Sequence, residues 1–355
     1  MKTILFCIPS LGKGGAERVL ANLSGELAKS VKLHILVYRR DVTYPHGGEL
    51  CCIDHEYRTG WRRLDGLASR VWGIRRAADR IGAHGVVSML TDMSCILTGK
   101  KVISTVRCHP MRAFGDPGSL RVWMLRRRNV KAVVANSFDI SQVMRETYGI
   151  KEVRLIHNAL DTQRIDAQLQ APRPAEFDRG PCIVSVGRLV KEKGVDVLLD
   201  AFARTEMKQS HTLLLLGEGE LRGELEARAG KLGLTDRVRF LGVTDNPFVY
   251  MRHAEFLVQA SRTEGCPNAL LEALYCGTPA IHTDCDYGPR EFIRHGENGL
   301  LAPVESPAEL AQAMDRLHGD AALRDQFRQT APAAVRHLQL ERIARQWVEL
   351  FDEVF

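Results

Sequence analysis

Short runs of consecutive apolar residues alternate with amphipathic helical stretches, and the alternation starts afresh in the second half of the chain. In the first half KTILFCI is followed by a glycine-rich loop (Gly12, Gly14, Gly15) and the helical pattern AERVLANLSGELA. KLHILVY, GVVSML, KVISTVR, AVVANS and VRLIHNAL then read as further apolar segments. In the second half CIVSV leads to VDVLLDAFAR, and HTLLLLG, RVRFLGV, EFLVQAS and TPAIHTD follow. Runs of this length, bounded by glycine, proline and polar residues, suit buried strands, and the intervening periodicity suits crossover helices. That pattern predicts an α/β fold, and 355 residues suffice for two domains with sizeable cores. The stretch QAPRPAEFDRGP (170–181), with three prolines and a glycine, is the predicted linker, dividing a domain of residues 1–170 from one beginning at 171.

Within the second half, EGCPNALLE (264–272) carries two carboxylates separated by seven residues. The strand-like EFLVQAS precedes it, so Glu264 is expected on a strand-to-helix loop and Glu272 about one turn into the helix. Gly265 and Pro267 fit a tight helix entry. A helix start at the carboxyl end of a strand presents unpaired N–H groups and a positive dipole end, here at Pro267, Asn268 and Ala269, which suits a phosphate. The carboxylates could then accept hydrogen bonds from neutral hydroxyls. Phosphate beside hydroxyls describes a sugar nucleotide. Taken alone, the pair also suits solvated charges flanking an ordinary helix.

Other polar residues fall at predicted strand ends. Arg188 and Lys193 follow CIVSV, where two cations could clamp a diphosphate or simply face water. His109 lies just past KVISTVR. Asp284 and Asp286 form a D-x-D triplet of the kind that holds a divalent metal elsewhere, but the expectation is that no metal binds. Ser306–Glu309 reads as a capping box opening a helix to Leu317. Leu340–Phe355 shows an apolar stripe (Ile343, Ala344, Trp347, Leu350, Phe351, Val354) that must be buried somewhere.

Nine cysteines in no ligand spacing suit reduced thiols in the cytoplasm. MKTILFCI meets Pro9 too early for a signal peptide, and no apolar stretch reaches the 18 or so residues of a membrane span. Charge is uneven. Residues 1–172 hold 27 of the 49 Lys+Arg and 15 of the 43 Asp+Glu, a net +12, which leaves −6 for the remainder. Residues 58–81 carry seven arginines with Trp61 and Trp72 around a face of Leu67, Val71, Ile74, Ala78 and Ile81. The arginines form either a solvated face or a surface for anionic lipid head groups or a lipid-linked pyrophosphate. RVWMLRRRNVK (121–131) is a second basic cluster in the same half. No nucleic-acid motif accompanies them, so no nucleic acid is expected.

In order and spacing, SLGKGGAER, VGRLVKEKG, GEGEL, the E-x7-E unit and DYGPREFIRHGENGLL make the chain resemble glycosyltransferase family 4, the retaining GT-B enzymes, over essentially its whole length. The resemblance is to bacterial enzymes of lipid-linked oligosaccharide, capsule or lipopolysaccharide assembly. It implies two doubly wound Rossmann-like domains facing across a cleft: an acceptor domain (1–170), a nucleotide-sugar donor domain (171–335) and a last helix (336–355) packing back on the first. The implied activity moves a hexose or N-acetylhexosamine from a nucleotide sugar, UDP-linked in most such enzymes, to a lipid-linked or lipopolysaccharide acceptor. No other cofactor is implied. Arg188 and Lys193 would meet the diphosphate, Glu264 the sugar hydroxyls, Glu272 the ribose, Gly14 and Gly15 the phosphates, and His109 the transferred sugar. The enzyme would sit on the cytoplasmic face of the inner membrane. An epimerase on the same fold, or a non-catalytic protein binding nucleotide sugar or polyanion, are the alternatives.

Overall fold

The computed structural model describes residues 1–12, 14–53, 62–90 and 93–355, and of 62–65 the backbone alone. Lys13, Arg58, Trp61 and the side chains of Arg62 and Arg63 lie outside the described residues. The chain forms two compact units, Met1–Ala159 with Leu338–Phe355, and Leu160–His337.

The first unit runs β1 (Thr3–Ile8), α1 (Gly15–Leu27), β2 (Lys32–Val37), β3 (Glu49–Cys52), α2 (Arg62–Arg80), β4 (Gly85–Ser88), α3 (Met93–Leu97), β5 (Val102–Val106), α4 (Pro110–Phe114), α5 (Leu120–Leu125), β6 (Val130–Ala135), α6 (Phe138–Glu146) and β7 (Val153–Leu155). Its strands make one parallel sheet in the order β3-β2-β1-β4-β5-β6-β7. Every residue of β1, β4 and β5 is buried. Helices cover both faces of such a sheet, so its central strands read as unbroken apolar runs.

The second unit runs α7 (Thr162–Gln168), β8 (Cys182–Val186), α8 (Val195–Phe202), β9 (Thr212–Leu216), α9 (Arg222–Lys231), β10 (Val238–Gly242), α10 (Pro247–His253), β11 (Leu257–Gln259), α11 (Asn268–Tyr275), β12 (Ala280–Thr283), α12 (Pro289–Phe292), β13 (Leu300–Ala302), α13 (Pro307–Gly319) and α14 (Ala321–Val335). Its parallel sheet has the order β10-β9-β8-β11-β12-β13. The order reverses between β8 and β11, and the crevice outside the carboxyl ends of such a strand pair is where open α/β sheets hold ligands.

The last helix, α15 (Leu340–Val354), packs within the first unit. Phe6 of β1 meets Trp347 and Phe351 edge-on, at 5.9 and 6.1 Å between ring centroids. Lys2 Nζ donates to the Phe351 carbonyl at 2.8 Å. This buries the apolar stripe of residues 343–351, and truncating either Trp347 or Phe351 is worth about 3–5 kcal/mol.

Three local readings differ from the structure. The edge strands β3 and β13 were not foreseen. Ser306 stands at the N-cap of α13 but its hydroxyl makes no capping bond; Pro307 alone starts that helix, which runs to Gly319. The unit boundary falls at 159/160, so α7 belongs with the second unit, ahead of the proline-rich stretch.

Glu255, just before β11, joins three elements of the second unit. It accepts from His211 Nε2 at 2.8 Å and His318 Nδ1 at 2.8 Å, with Arg324 Nη1 at 3.6 Å. Burial alone would raise its carboxyl, but the two imidazoles and Arg324 outweigh that and hold it down to about 2. The folded value is depressed, so the stabilisation is complete above the ordinary carboxylate range and fades as pH falls from about 4.5 toward 2. We expect Glu255→Gln to lose about 2–3 kcal/mol at pH 7. Urea unfolding at pH 7, 4 and 3 should show the gap to wild type closing. A gap independent of pH would show that the charge contributes nothing.

Candidate functional site

The β8–β11 reversal brings together residues 71 positions apart: Lys193 Nζ contacts Glu264 Oε1 at 2.6 Å. Two short loops make this possible. After β8, residues Lys191–Lys193 form one turn of 3-10 helix that ends at Gly194, with φ 60° and ψ 28°. A side chain there would place its Cβ 2.0 Å from the Ala260 carbonyl oxygen, so the turn can lie against the end of β11 only with glycine. After β11, Arg262 braces the same turn. Its backbone N–H donates to Glu192 O at 2.8 Å and its guanidinium to Lys191 O at 2.7 Å. The guanidinium also forks onto both Asp196 oxygens at 2.8 and 2.7 Å and reaches Glu305. Planar bidentate pairing of this kind fixes geometry as well as charge.

Glu264 is itself closely held. Ser261 Oγ donates to Oε1 at 2.6 Å, and the Glu264 N–H points to Asp286 O at 3.4 Å. Its side chain is 9% exposed. Burial would push the carboxyl upward, yet Lys193, the nearby His282 ring and Ser261 together keep it below the ordinary range. His282, buried at the carboxyl end of β12, is driven downward by burial, with Glu264 opposing. Its Nδ1 lies 2.7 Å from the Thr283 carbonyl, while Nε2 is buried without a hydrogen-bond partner. Thr263 Oγ1, the residue before Glu264, is in the same condition. Two orphaned polar atoms flanking one buried carboxylate are costly in a folded core unless something pairs with them.

Glu272 is buried on α11, and Pro267 occupies that helix's N-cap with no side-chain cap. Asn268 and Ala269, half-buried, open the helix. Arg188 is exposed on the loop after β8 and lines a small cavity with Gly187, Lys193, Ser185 and Gln259. Gly217 and Gly219, in the loop after β9, press against this loop: a Cβ would lie 2.0 Å from Gly187 O and 2.2 Å from Leu189 O.

Of the D-x-D triplet, Asp284 is committed to Arg290, which donates to both its oxygens. Among the described residues, His211, Glu255 and His318 are the group with metal-like spacing, and their carboxylate is already shared between two imidazoles and Arg324.

In the first unit, Gly14 caps α1 and Gly15 opens it; Gly14 has φ −117°, which any residue adopts. His109 is the N-cap of α4, its Nδ1 accepting from the Met111 N–H at 3.2 Å. A neutral ring capping in this way carries its proton on Nε2.

Ser261, Arg262, Asp196 and His282 had escaped sequence reasoning. His282 left a readable signal, a polar residue within the apolar run TPAIHTD. Arg262 left none, because its partners lie 66 and 43 residues away.

Comparison with known proteins bears on this site. Residues 166–334 match the family described as glycosyl transferases group 1, and residues 13–164 the Glycosyltransferase Family 4 description. The chain is 29% identical, over 97% of its length and 98% of the relative's, to the N-acetylgalactosamine-N,N'-diacetylbacillosaminyl-diphospho-undecaprenol 4-alpha-N-acetylgalactosaminyltransferase of Campylobacter jejuni. It is 34% identical, over 56% of each chain, to the lipopolysaccharide core biosynthesis glycosyltransferase LpsE of Rhizobium meliloti. The crystal structure of Anabaena HepE in complex with UDP and glucose superposes with a TM-score of 0.79 at 19% identity, covering 99% of this chain and 100% of that one.

Proposed function

We infer the reaction from one premise: this chain belongs to the glycosyltransferases of family 4 and group 1, its fold is GT-B, and it is an enzyme that transfers a glycosyl group. We propose that it moves a hexose or N-acetylhexosamine from a UDP-linked donor to a lipid-linked glycan acceptor in bacterial cell-surface glycan assembly, with retention at the anomeric carbon. The printed names of the Campylobacter and Rhizobium relatives support the acceptor class. The Lys193–Glu264 contact at the strand-order reversal is the observation that carries the donor site.

In this reading the departing diphosphate gathers negative charge as the sugar becomes oxocarbenium-like. Arg188, Lys193 and the uncapped start of α11 at Pro267–Ala269 meet that charge. Glu264 accepts from sugar hydroxyls, with Thr263 Oγ1 and His282 Nε2 as further hydrogen-bonding atoms. Glu272 takes the ribose, Gly14 and Gly15 offer backbone to phosphate, and His109 serves the transferred sugar. No carboxylate is assigned as nucleophile. The acceptor attacks from the face the diphosphate leaves, and the diphosphate helps to take its proton.

A thermal-shift panel of UDP, GDP and ADP sugars, followed by transfer to a lipid-diphosphate acceptor and NMR of the new linkage, tests the proposal. Stabilisation by UDP sugars and an α-linked product from an α-linked donor are expected. Conversion of the donor without acceptor would make it an epimerase, and binding without turnover a non-catalytic protein. An inverted linkage would remove retention.

We also propose that no divalent metal is needed, since Arg188, Lys193 and a helix end supply the positive charge and Asp284 is occupied by Arg290. Turnover in EDTA should stay within about twofold of the untreated enzyme. Loss of activity in EDTA, restored by Mn²⁺, would sink this.

Among the described residues no helix is long and apolar enough to cross a membrane. A lipid-linked acceptor therefore places the enzyme peripherally, on the cytoplasmic face of the inner membrane in this reading, with the basic residues of α2 (Arg70, Arg75, Arg76, Arg80) facing anionic lipid.

A further inference from the structure

At the amino ends of the second unit's strands, three side chains from separate elements converge. His211 precedes β9, Glu255 precedes β11 and His318 lies in the last turn of α13. One ring nitrogen of each histidine and a Glu255 carboxylate oxygen lie within 4.8 Å of one another. The two rings meet edge-on, with centroids 4.6 Å apart. His211 Nε2 and His318 Nδ1 each address a different Glu255 oxygen at 2.8 Å, so hydrogen bonds already gather the donor atoms of a metal site. The group opens outward: the His211 side chain is 3% exposed, Glu255 16% and His318 38%. The Glu255 N–H is fixed by the Cys182 carbonyl at 2.8 Å.

Two imidazoles and one carboxylate suit a borderline cation such as Zn²⁺, and offer too few oxygens for Mg²⁺ or Ca²⁺. Without metal, the neutral rings carry their protons on the nitrogens that face Glu255. On coordination each ring keeps one proton and moves it to its other nitrogen. For His211 the partner is in place: Nδ1 lies 2.8 Å from Ser210 Oγ, which donates to it without metal and accepts from it once Nε2 is coordinated. Donors around one tetrahedral zinc stand roughly 3.3 Å apart, a small adjustment of the more exposed His318 ring from the present spacing. That open side leaves the fourth position to water. Arg324 Nη1, 3.6 Å from Glu255 Oε1, opposes a cation, while Asp315, one turn before His318 on α13, favours it. Three protein ligands beside one arginine make a site that binds reversibly.

We propose that His211, Glu255 and His318 bind one zinc-class divalent ion, which clamps α13 to the amino edge of the second unit's sheet. Lys193 and Glu264 follow the carboxyl ends of β8 and β11, at the opposite edge of that sheet. The ion therefore serves the fold and takes no part in glycosyl transfer, and the site stands independently of the donor and acceptor proposed above.

The untagged full-length protein, stripped with EDTA and kept reduced, is titrated with ZnCl₂ by calorimetry and followed by thermal shift. Wild type should take up one ion per chain and melt at a higher temperature with zinc, but not with Mg²⁺. H211Q and H318Q should each weaken zinc binding by about tenfold or more, and S210A by roughly tenfold. Circular dichroism checks that each variant folds; if the buried H211Q does not, H318Q decides. The Co²⁺-loaded protein should show the visible bands of a nitrogen and oxygen ligand set, with no thiolate charge-transfer band. Transfer activity should be the same in stripped wild type, in wild type with one equivalent of zinc and in H318Q. Failure of the metal site is thus separate from failure of the glycosyltransferase reading. The proposal is overturned if folded H318Q binds zinc as tightly as wild type does, or if saturating zinc leaves the wild-type Tm unchanged. A thiolate band in the cobalt spectrum would also overturn it, by placing the ion on cysteines.

Discussion

Lys193→Ala and Glu264→Ala should each lower turnover by about a hundredfold or more, the usual effect of removing one preorganised electrostatic contact to a transition state. Lys193 loses a charge aimed at the proposed diphosphate, and Glu264 loses the oxygens assigned to the sugar hydroxyls. The structure adds a second consequence. Lys193 Nζ is 2.6 Å from a carboxylate that is 9% exposed, and deleting one partner of a buried ion pair strands the other. Lys193→Ala should therefore also cost stability, on the order of 3 kcal/mol. The combined variant Lys193→Ala/Glu264→Gln removes the stranded charge. Urea unfolding should show stability recovered in the double variant while steady-state turnover stays as low as in the single ones. If the folded Lys193→Ala protein turns over like wild type, the pair is a structural ion pair and the site lies elsewhere.

Gly194→Ala is expected to be among the most damaging small substitutions in the second unit. The position sits in the left-handed region at φ 60°, and the added Cβ would come within 2.0 Å of the Ala260 carbonyl oxygen. Neither the backbone preference nor the steric overlap can be relieved without moving the turn. Together they should cost about 2–4 kcal/mol. Moving the turn shifts Lys193 from Glu264, so binding of UDP should weaken in parallel, by about tenfold or more. Gly187→Ala is the control on the same loop: its Cβ would meet the Lys193 side chain at an ordinary 3.7–3.8 Å. Differential scanning calorimetry and UDP titration of both variants decide the matter. Equal behaviour of the two would show that the loop adapts freely and that Gly194 does not set its path.

Much of the fold was open to reading because parallel strands covered on both faces must be apolar throughout. β1, β5, β8 and β9 announce themselves that way. β3 did not: ELCC is an edge strand whose four residues are exposed or half-buried, so no apolar run marks it. β13 was hidden by its length of three residues. In the sequence α5 reads only as part of a basic cluster, since its six residues are too few to show a period.

For the site, residue types and strand ends were visible in the sequence, contacts were not. That Glu264 follows one strand and Lys193 another is a local fact about apolar runs and the loops that end them. That the two touch depends on β11 lying beside β8, a consequence of the sheet's order rather than of either segment. Arg262 shows the difference most plainly. Nothing around it distinguishes it from a surface arginine, yet it ties the Lys191–Lys193 turn to Asp196 and Glu305 and so sets where Lys193 stands. The sequence by itself determined which segments are buried, because the transfer of apolar side chains out of water is local and additive. The tertiary structure alone decided which charges meet and which carboxylate is buried, because electrostatic interaction depends on distance and on the surrounding medium, and both are set only when the sheet is assembled.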